Sequence, residues 1–386
     1  MNMSRREPIP GDVLFDALEG VPTIIMAANV RMTKGIAKGI MRAAKDYDSA
    51  VIFEIARSES DLSGGYTGMT PEMYKQEIEE VANKVGHDIY VLHADHISIK
   101  EGTEEELEST RKLIQAQIDA GYTSFAIDAS HLFDFKGRDL REELADNIRC
   151  TTEMAHYIEK NIGERSFGLE VEVGEIGKTD PSGRVLTQPD EAHTFLTALK
   201  ENDVHPDLLA IANGSAHGNT YDENGNLLPQ VSVDIPQTKA VVQAIRDAGM
   251  KVGIAQHGIT GTPRKTINRH FPKGDIKKGN VGTHWQNVFY DVLEIFHPDQ
   301  YDEMHEWVVD TYGPKYPGKP EEVVFGKNCK RAFKPFLEKN WKLPEKTLSA
   351  MEAVAYAEAT LFFRAFDSQG TASMVRNHMK EKGLVK

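Results

Sequence analysis

A (β/α)8 barrel with a carboxyl-terminal helical extension is the fold this sequence predicts, on three observations. Apolar, β-rich runs alternate with longer amphipathic stretches eight times, the signature of repeated βα units around a parallel sheet. Polar motifs recur just after strand upon strand and need one common mouth, which a barrel supplies at the carboxyl ends of its strands. The chain is 386 residues long, so residues 1–297 can carry the eight units and leave 298–386 as the extension, packed on the barrel or on a neighbouring subunit. A doubly wound open sheet would explain the alternation but not the shared mouth.

The first strand is expected over Pro22–Val30 and a helix over Thr33–Asp46. The second strand, Ala50–Ala56, delivers Arg57 to the mouth, where a guanidinium can hold a phosphate or another anion. The next helix, Pro71–Val85, opens with Thr70 as a cap and proline in its first turn. The third strand, Asp88–Ala94, runs into VLHADH. Side chains alternate faces along a strand, so Asp95 and His96 serve one pocket only if the chain is already leaving the sheet. A polar loop with a hydrogen-bonded histidine is the plainer alternative.

A helix over Thr103–Ala120 leads to the fourth strand, Ser124–Ala129, with Asp128 at its end, equally suited to capping a turn or binding a metal. One helix is expected over Arg138–Ile162. The fifth strand, Gly168–Gly174, reads LEVEVG, with Glu170 and Glu172 on one face and Leu169, Val171 and Val173 on the other. Helices cover the outer face of a parallel barrel, so the carboxylates point inward, where they need a cation. After the helix Pro189–Glu201, the sixth strand, Leu208–Asn213, brings His217 and Gly218. After the helix Pro236–Ala248, the seventh, Lys251–Gln256, brings His257, Gly258, Thr260 and Gly261, and Ile276–Thr283 is the eighth. A Gly-rich turn with a hydroxyl at a helix entrance presents N–H groups to a ligand, most often phosphate. His96, His217 and His257 each follow a buried strand, and neutral imidazoles with a carboxylate suit zinc or a similar divalent ion in an open site.

Beyond His297 the rhythm stops. Residues Tyr312 to Pro320 read as an exposed loop, and Lys327, Lys330 and Arg331 read first as a solvated helix face, with reach into a pocket, across a subunit boundary, to a distal phosphate as the alternative. The hydrophobic share of 40% and charged share of 27% are ordinary globular usage, which argues against disorder, collagen-like repeats and coiled coil. A net charge of -14 gives no long-range attraction to nucleic acid or anionic lipid, so an anionic ligand must be held locally. The two cysteines, Cys150 and Cys329, make neither a disulfide framework nor a thiolate zinc site. MNMSRREPIPGD lacks the apolar stretch of a secretory signal, and no apolar run reaches the ~18 residues of a membrane span. A cytoplasmic protein is expected.

The motifs together resemble the class II, metal-dependent fructose-bisphosphate aldolases. GDVLFDALEG resembles the family's opening, VLHADH its His-x-Asp-His, IDASHL its Ile-Asp-Gly-Ser-His-Leu, LEVEVG its Leu-Glu-x-Glu-x-Gly, AHGNTY, with one extra residue, its His-Gly-x-Tyr and QHGITG its His-Gly-Gly-Ser-Gly. Six short motifs in the right order are specific where each alone is not. The resemblance implies a lyase that cleaves fructose 1,6-bisphosphate to dihydroxyacetone phosphate and glyceraldehyde 3-phosphate through a metal-stabilised ene-diolate, in glycolysis and gluconeogenesis. It implies His96, His217 and His257 as zinc ligands, Glu172 and Asp128 at a second or alternate metal position, and Asp95 as the residue handling the C4 hydroxyl proton. Asn29, Gly218, Gly258, Thr260, Gly261, Asn280 and Thr283 would lie around the substrate's phosphate and hydroxyls, with Arg57 as a further anion contact. The implied partners are a sugar phosphate, a divalent cation with room for a monovalent one, and further copies of the chain, in a dimer or larger; neither nucleic acid nor membrane is implied.

The sequence departs from the family in places. The loop after the fifth strand, GEIGKTDPSGRV, lacks Gly-Gly-Glu-Glu-Asp, leaving Glu175 or Asp180 to move the C3 proton. Asn-x-Asp-Thr appears as Asn280-Val281-Gly282-Thr283, without its Asp. These changes keep open a different ketose phosphate, such as tagatose 1,6-bisphosphate, and a non-catalytic barrel serving as a sugar-phosphate-binding partner subunit.

Overall fold

The computed structural model describes residues 6–31, 34–174, 179–180, 183–216, 218–222 and 225–384, with backbone alone for 179, 180, 183 and 184. Eight parallel strands close a barrel in chain order: β1 (Ile25–Ala28), β2 (Val51–Ala56), β3 (Tyr90–Ser98), β4 (Ser124–Asp128), β5 (Gly168–Glu172), β6 (Leu208–Ala210), β7 (Gly253–Gln256) and β8 (Ile276–Val281), the last pairing with β1. Each expected strand is present, trimmed at its ends where the backbone leaves the ladder. β3 instead runs four residues further than expected, to Ser98, through a bulge.

Alternation along the strands builds two packed layers. Met26, Phe53, Leu92, Ile127, Val171, Leu209 and Ile254 face outward into the helix layer. Ile25, Ile52, Val91, Leu208 and Ala255 fill the amino-terminal half of the lumen. That end is plugged by α1 (Gly11–Ala17), whose Gly11 lies so close to β4 and β5 that a Cβ there would meet Ser124 Cβ at 2.9 Å and Gly168 Cα at 3.0 Å. The apolar floor leaves only the other end of the lumen open to chemistry.

The helices α2 (Lys34–Asp46), α3 (Pro71–Val85) and α4 (Glu104–Ala120) follow β1 to β3. Thr70 caps α3, accepting from Met73 N, and Thr103 does the same for α4. The single helix expected over 138–162 is broken at buried Leu144 into α5 (Leu140–Glu143), capped by Asp139, and α6 (Ala145–Asn161). After these come α7 (Pro189–Glu201), α8 (Ile235–Asp247), α9 (Arg264–His270) and α10 (Thr283–Phe296).

Past the barrel, α11 (Pro298–Tyr312), α12 (Glu321–Asn328) and α13 (Leu337–Trp341) lead to the long α14 (Glu345–Phe366) and α15 (Thr371–Glu381). α14 returns to pack on α2, its approach permitted by Gly35 and Gly39. Its last residue joins the sheet, where Phe366 O accepts from Ile24 N at 3.0 Å and from Thr23 Oγ1 at 3.3 Å. Among the described residues, no helix is long and apolar enough to cross a membrane.

Candidate active site

The carboxyl ends of the strands enclose a cavity of about 910 Å³. Asn29, Arg57, Asp95, His96, Asp128, Glu172, Gly218, His257, Gly258, Thr260, Asn280 and Thr283 all line it, so motifs spread over some 250 residues converge as the barrel reading required. Gly261 does not line it; its carbonyl accepts from Gln230 N at 3.0 Å, behind the wall. His217 and Glu175, and the side chain of Asp180, lie outside the described residues.

Asp95 and His96 reach one pocket by a different device from the one expected. The chain has not left the sheet: the register of β3 on β4 shifts between Ala94 and Ile97, and His96 takes φ +38°, left-handed for a non-glycine residue. A bulge adds a residue to one strand and re-aims the side chains beyond it, so neighbouring residues face the same mouth. The strained conformation falls on a residue of the cavity wall, and such outliers concentrate at functional sites.

His96 Nδ1 lies 3.3 Å from Asp128 Oδ2 and 3.3 Å from Glu172 Oε2. The His96 and His257 rings approach to 4.4 Å between centroids. Asp95, His96 and His257 offer ligand atoms all within 4.8 Å of one another, and so do His96, Asp128 and Glu172. Burial alone would depress the His96 pKa, but Asp95, Glu172 and Asp128 outweigh it and hold the imidazole well above its ordinary value. Glu172 is pushed up to about 8 by burial and by Asp128. Burial would raise Asp128 too, but the bond and charge of His96 lower it. Such a concentration of buried carboxylates asks for positive charge. His257 donates from Nε2 to Glu170 Oε1 at 2.9 Å, which makes Nδ1 the lone-pair nitrogen of the ring, the form that ligates an ion. The donor set of imidazole and carboxylate therefore fits a divalent metal of the zinc type.

Residues 12–371 match the family described as class II fructose-bisphosphate aldolase. The chain belongs to that family. Its members are aldehyde-lyases, and the chain is therefore read as an enzyme of that class. It is 30% identical over 290 residues to the plasmid-borne fructose-bisphosphate aldolase of Cupriavidus necator, covering 68% of this chain and 75% of that one. It is 27% identical over 256 residues to the Geobacillus stearothermophilus fructose-bisphosphate aldolase, covering 65% and 73% respectively. The crystal structure of fructose-bisphosphate aldolase from Campylobacter jejuni superposes with a TM-score of 0.62 at 17% identity, covering 95% of this chain and 98% of that one, and shows the same fold.

Beneath the mouth of this class II aldolase lies a buried ionic layer that the sequence reading missed. Lys278 on β8 is fully buried, with Nζ 2.6 Å from Glu170 Oε2, 2.9 Å from His93 Nε2, 3.2 Å from Glu54 Oε2 and 3.6 Å from Asp95 Oδ1. The inward Glu170 thus finds its cation in the chain itself. A signal existed: Lys278, His93 and Glu54 each sit two residues before a lining residue, Asn280, Asp95 and Ala56, and so share its face. A lysine inside an aldolase invites the idea of a Schiff base, which needs a neutral amine. Burial favours that form, but Glu170, Glu54 and Asp95 outweigh it and raise the Lys278 pKa, so the group is a locked ammonium.

The rim corrects another expectation. Lys327 and Lys330 line the cavity, Lys327 while still exposed and Lys330 half-buried, whereas Arg331 is exposed as expected; the turn after α12 folds back over the mouth and lays Lys330 and Arg331 5.6 Å from the ring of Tyr66. Glu59, also missed, is the hub beneath them. It accepts from Asn29 Nδ2 at 2.7 Å, Arg31 Nε at 3.0 Å, Ala56 N at 2.9 Å and Tyr66 OH at 2.5 Å. Arg57 stands at the mouth as expected, its guanidinium tied to Ser98 O and Thr110 Oγ1 at 2.8 Å.

Proposed function

We propose that this protein is a zinc-type, divalent-metal aldolase that reversibly cleaves fructose 1,6-bisphosphate to dihydroxyacetone phosphate and glyceraldehyde 3-phosphate in glycolysis and gluconeogenesis, acting as a cytoplasmic homo-oligomer. The observation that carries the reading is the meeting of His96, His257 and Asp95, from β3 and β7, in one cavity large enough for a hexose bisphosphate. His96 and His257 would hold the ion, with His217 as the third imidazole on the family resemblance and Asp128 and Glu172 as alternate ligands. When bound, the ion polarises the ketone and adjacent hydroxyl and so stabilises charge left on the ketose half as the C3–C4 bond breaks.

The remaining work falls to the chain. Asp95 takes the C4 hydroxyl proton during cleavage and returns it during condensation. Asn29 Oδ1 and Asn280 Oδ1 are buried acceptors without a partner, and substrate hydroxyls would satisfy them. Gly218 and Gly258, both with positive φ, bring their backbone close to the ligand, and Thr260 and Thr283 add hydroxyls for one phosphate. Arg31, Arg57, Lys327 and Lys330 supply positive charge at the rim for the other phosphate, which a chain of net charge -14 must concentrate locally.

A different ketose bisphosphate, such as tagatose 1,6-bisphosphate, is favoured by one observation. Gly282 stands where the family resemblance places an Asp, and a Cβ there would come 3.3 Å from Arg31 Nη2. The missing carboxylate removes one contact from the wall beside Asn280 and leaves the Arg31 guanidinium facing that gap, a change in the surface that reads the sugar hydroxyls. Metal content and turnover on a panel of ketose bisphosphates, with and without chelator, test both readings. Chelator-sensitive cleavage that survives borohydride in the presence of substrate is expected. A protein that holds no divalent ion and cleaves nothing on the panel is not the enzyme proposed.

A further inference from the structure

We propose that Lys278 is a positioning residue for the metal site, acting through Glu170 to fix His257 and attracting Asp95 by its charge across 3.6 Å. The proposal rests on the metal-dependent reading above. Glu170 is bound at both oxygens: Oε1 accepts from His257 Nε2 at 2.9 Å and Oε2 takes Lys278 Nζ at 2.6 Å. With the far oxygen clamped, the near one has one place to stand, and the imidazole plane is set by it. The same ammonium reaches Asp95 Oδ1 at 3.6 Å, while Asn280 Nδ2 approaches that oxygen at 3.3 Å and His257 Nδ1 at 3.4 Å. One buried cation therefore ties the orientation of a metal ligand to that of the acid/base residue.

The clamp is itself held rigidly. Lys278 spends its three protons on Glu170, His93 Nε2 and Glu54, so it has no alternative rotamer that keeps its bonds. His93 in turn donates from Nδ1 to Ser124 Oγ at 2.8 Å, and that hydroxyl donates to Gly168 O at 3.2 Å, anchoring the relay to β4 and β5. Glu54, His93 and Asp95 would by themselves make a second group of metal-ligand type. The ammonium occupies their centre, so this part of the lumen holds a cation that cannot be exchanged or chelated. Carboxylates behind metal-bound histidines typically govern metal affinity by ten- to a hundredfold.

The test uses Co²⁺, whose binding and absorption spectrum report the ligands without turnover. Wild type, Lys278→Met, Glu170→Gln and the double variant are titrated with Co²⁺ against a competing chelator, and kcat and KM are measured on the Co²⁺ forms. Each single variant is expected to bind Co²⁺ about ten- to a hundredfold more weakly, with an altered spectrum. The double variant is expected to bind less than about threefold more weakly than the worse single one, since both changes break one relay. Lys278→Met should also lower kcat more than it raises KM. Unchanged Co²⁺ affinity in Lys278→Met, or losses that multiply in the double variant, overturns the relay. Should Lys278→Met fail to fold, Lys278→Arg decides: it keeps the buried charge but cannot place three donors on the same acceptors, so a tenfold or larger loss of Co²⁺ affinity supports the relay and an unchanged affinity overturns it. A wild type that binds no Co²⁺ overturns the metal-dependent reading, and is recognised because it appears before any substitution is made.

Discussion

Arg31 Nε lies 3.0 Å from Oε1 of Glu59 at the wall of the cavity, the carboxylate buried and the guanidinium partly open to the lumen. The pair organises one wall, because the same carboxylate takes Asn29, Tyr66 and the backbone of Ala56. Glu59→Gln replaces a charged acceptor with an amide that must turn a donor toward one of those partners. The expected result is a KM raised at least tenfold with kcat changed much less, and a stability loss of about 1–3 kcal/mol for the mismatched buried bonds. Steady-state kinetics with thermal unfolding separates the two effects. A KM equal to wild type would remove Glu59 and Arg31 from substrate binding.

Asp95→Asn preserves the shape of the side chain and its bond from Asn280, but it cannot take up a proton. Metal content should stay at the wild-type level while kcat falls about 10²- to 10⁴-fold, the usual cost of losing a general acid/base. Metal analysis of the purified variant beside its kinetics checks both halves. Full activity would move the proton transfer to another group, and metal loss would make Asp95 a ligand.

How much of this was legible in the sequence depends on whether the information is local. The strands were, because each is an apolar run with its own turn signals, and Met26 or Phe53 needs no knowledge of its neighbours to declare an outward, covered face. Residues after those strands were also legible, since the barrel places every such position at one mouth. The bulge at His96 was not: a register shift against β4 is a property of two strands, and VLHADH contains one. Lys278 shares a face with Asn280 by simple parity, yet its partners come from β2, β3 and β5, and no local pattern records that a lumen charge is paired across the barrel. Lys330 was misread for a similar reason. A basic run at helical spacing looks solvated until the chain folds back over the cavity, and that return is decided by packing of residues such as Tyr290, whose hydroxyl donates to Cys329 O at 2.7 Å.

The packing of α14 on α2 makes a prediction about the scaffold. Gly35 and Gly39 lie four residues apart on one face of α2, and a methyl group at Gly39 would collide with the carbonyl oxygen of Glu352 and stand 2.9 Å from Ala355 Cβ. In a free helix Gly→Ala stabilises by about 1 kcal/mol. Here backbone would have to move, so Gly39→Ala should destabilise by about 1–3 kcal/mol net, the usual cost of overpacking. Thermal unfolding beside wild type measures it, and an unchanged or raised melting temperature would mean that α14 does not seat closely on α2.

His87 sets a pH dependence that owes nothing to the active site. The ring is buried; Nε2 donates to Ile89 O at 3.1 Å, and Nδ1 has no partner. Adding a proton would place an unpaired positive charge in the interior, and burial accordingly pushes the His87 pKa down to about 4, with Asp88 opposing more weakly. Unfolded, the same group titrates near 6.5. Between those values the unfolded chain binds the extra proton and the folded chain does not, so this contribution is complete above about pH 6.5 and is lost as pH falls toward 4. A depression of that size corresponds to about 3 kcal/mol at most. Chemical denaturation of wild type and His87→Gln from pH 7 to 4 measures it. The variant starts less stable at pH 7, yet its stability should fall less steeply over that interval; parallel curves would show that His87 takes up its proton equally in the folded and unfolded chain.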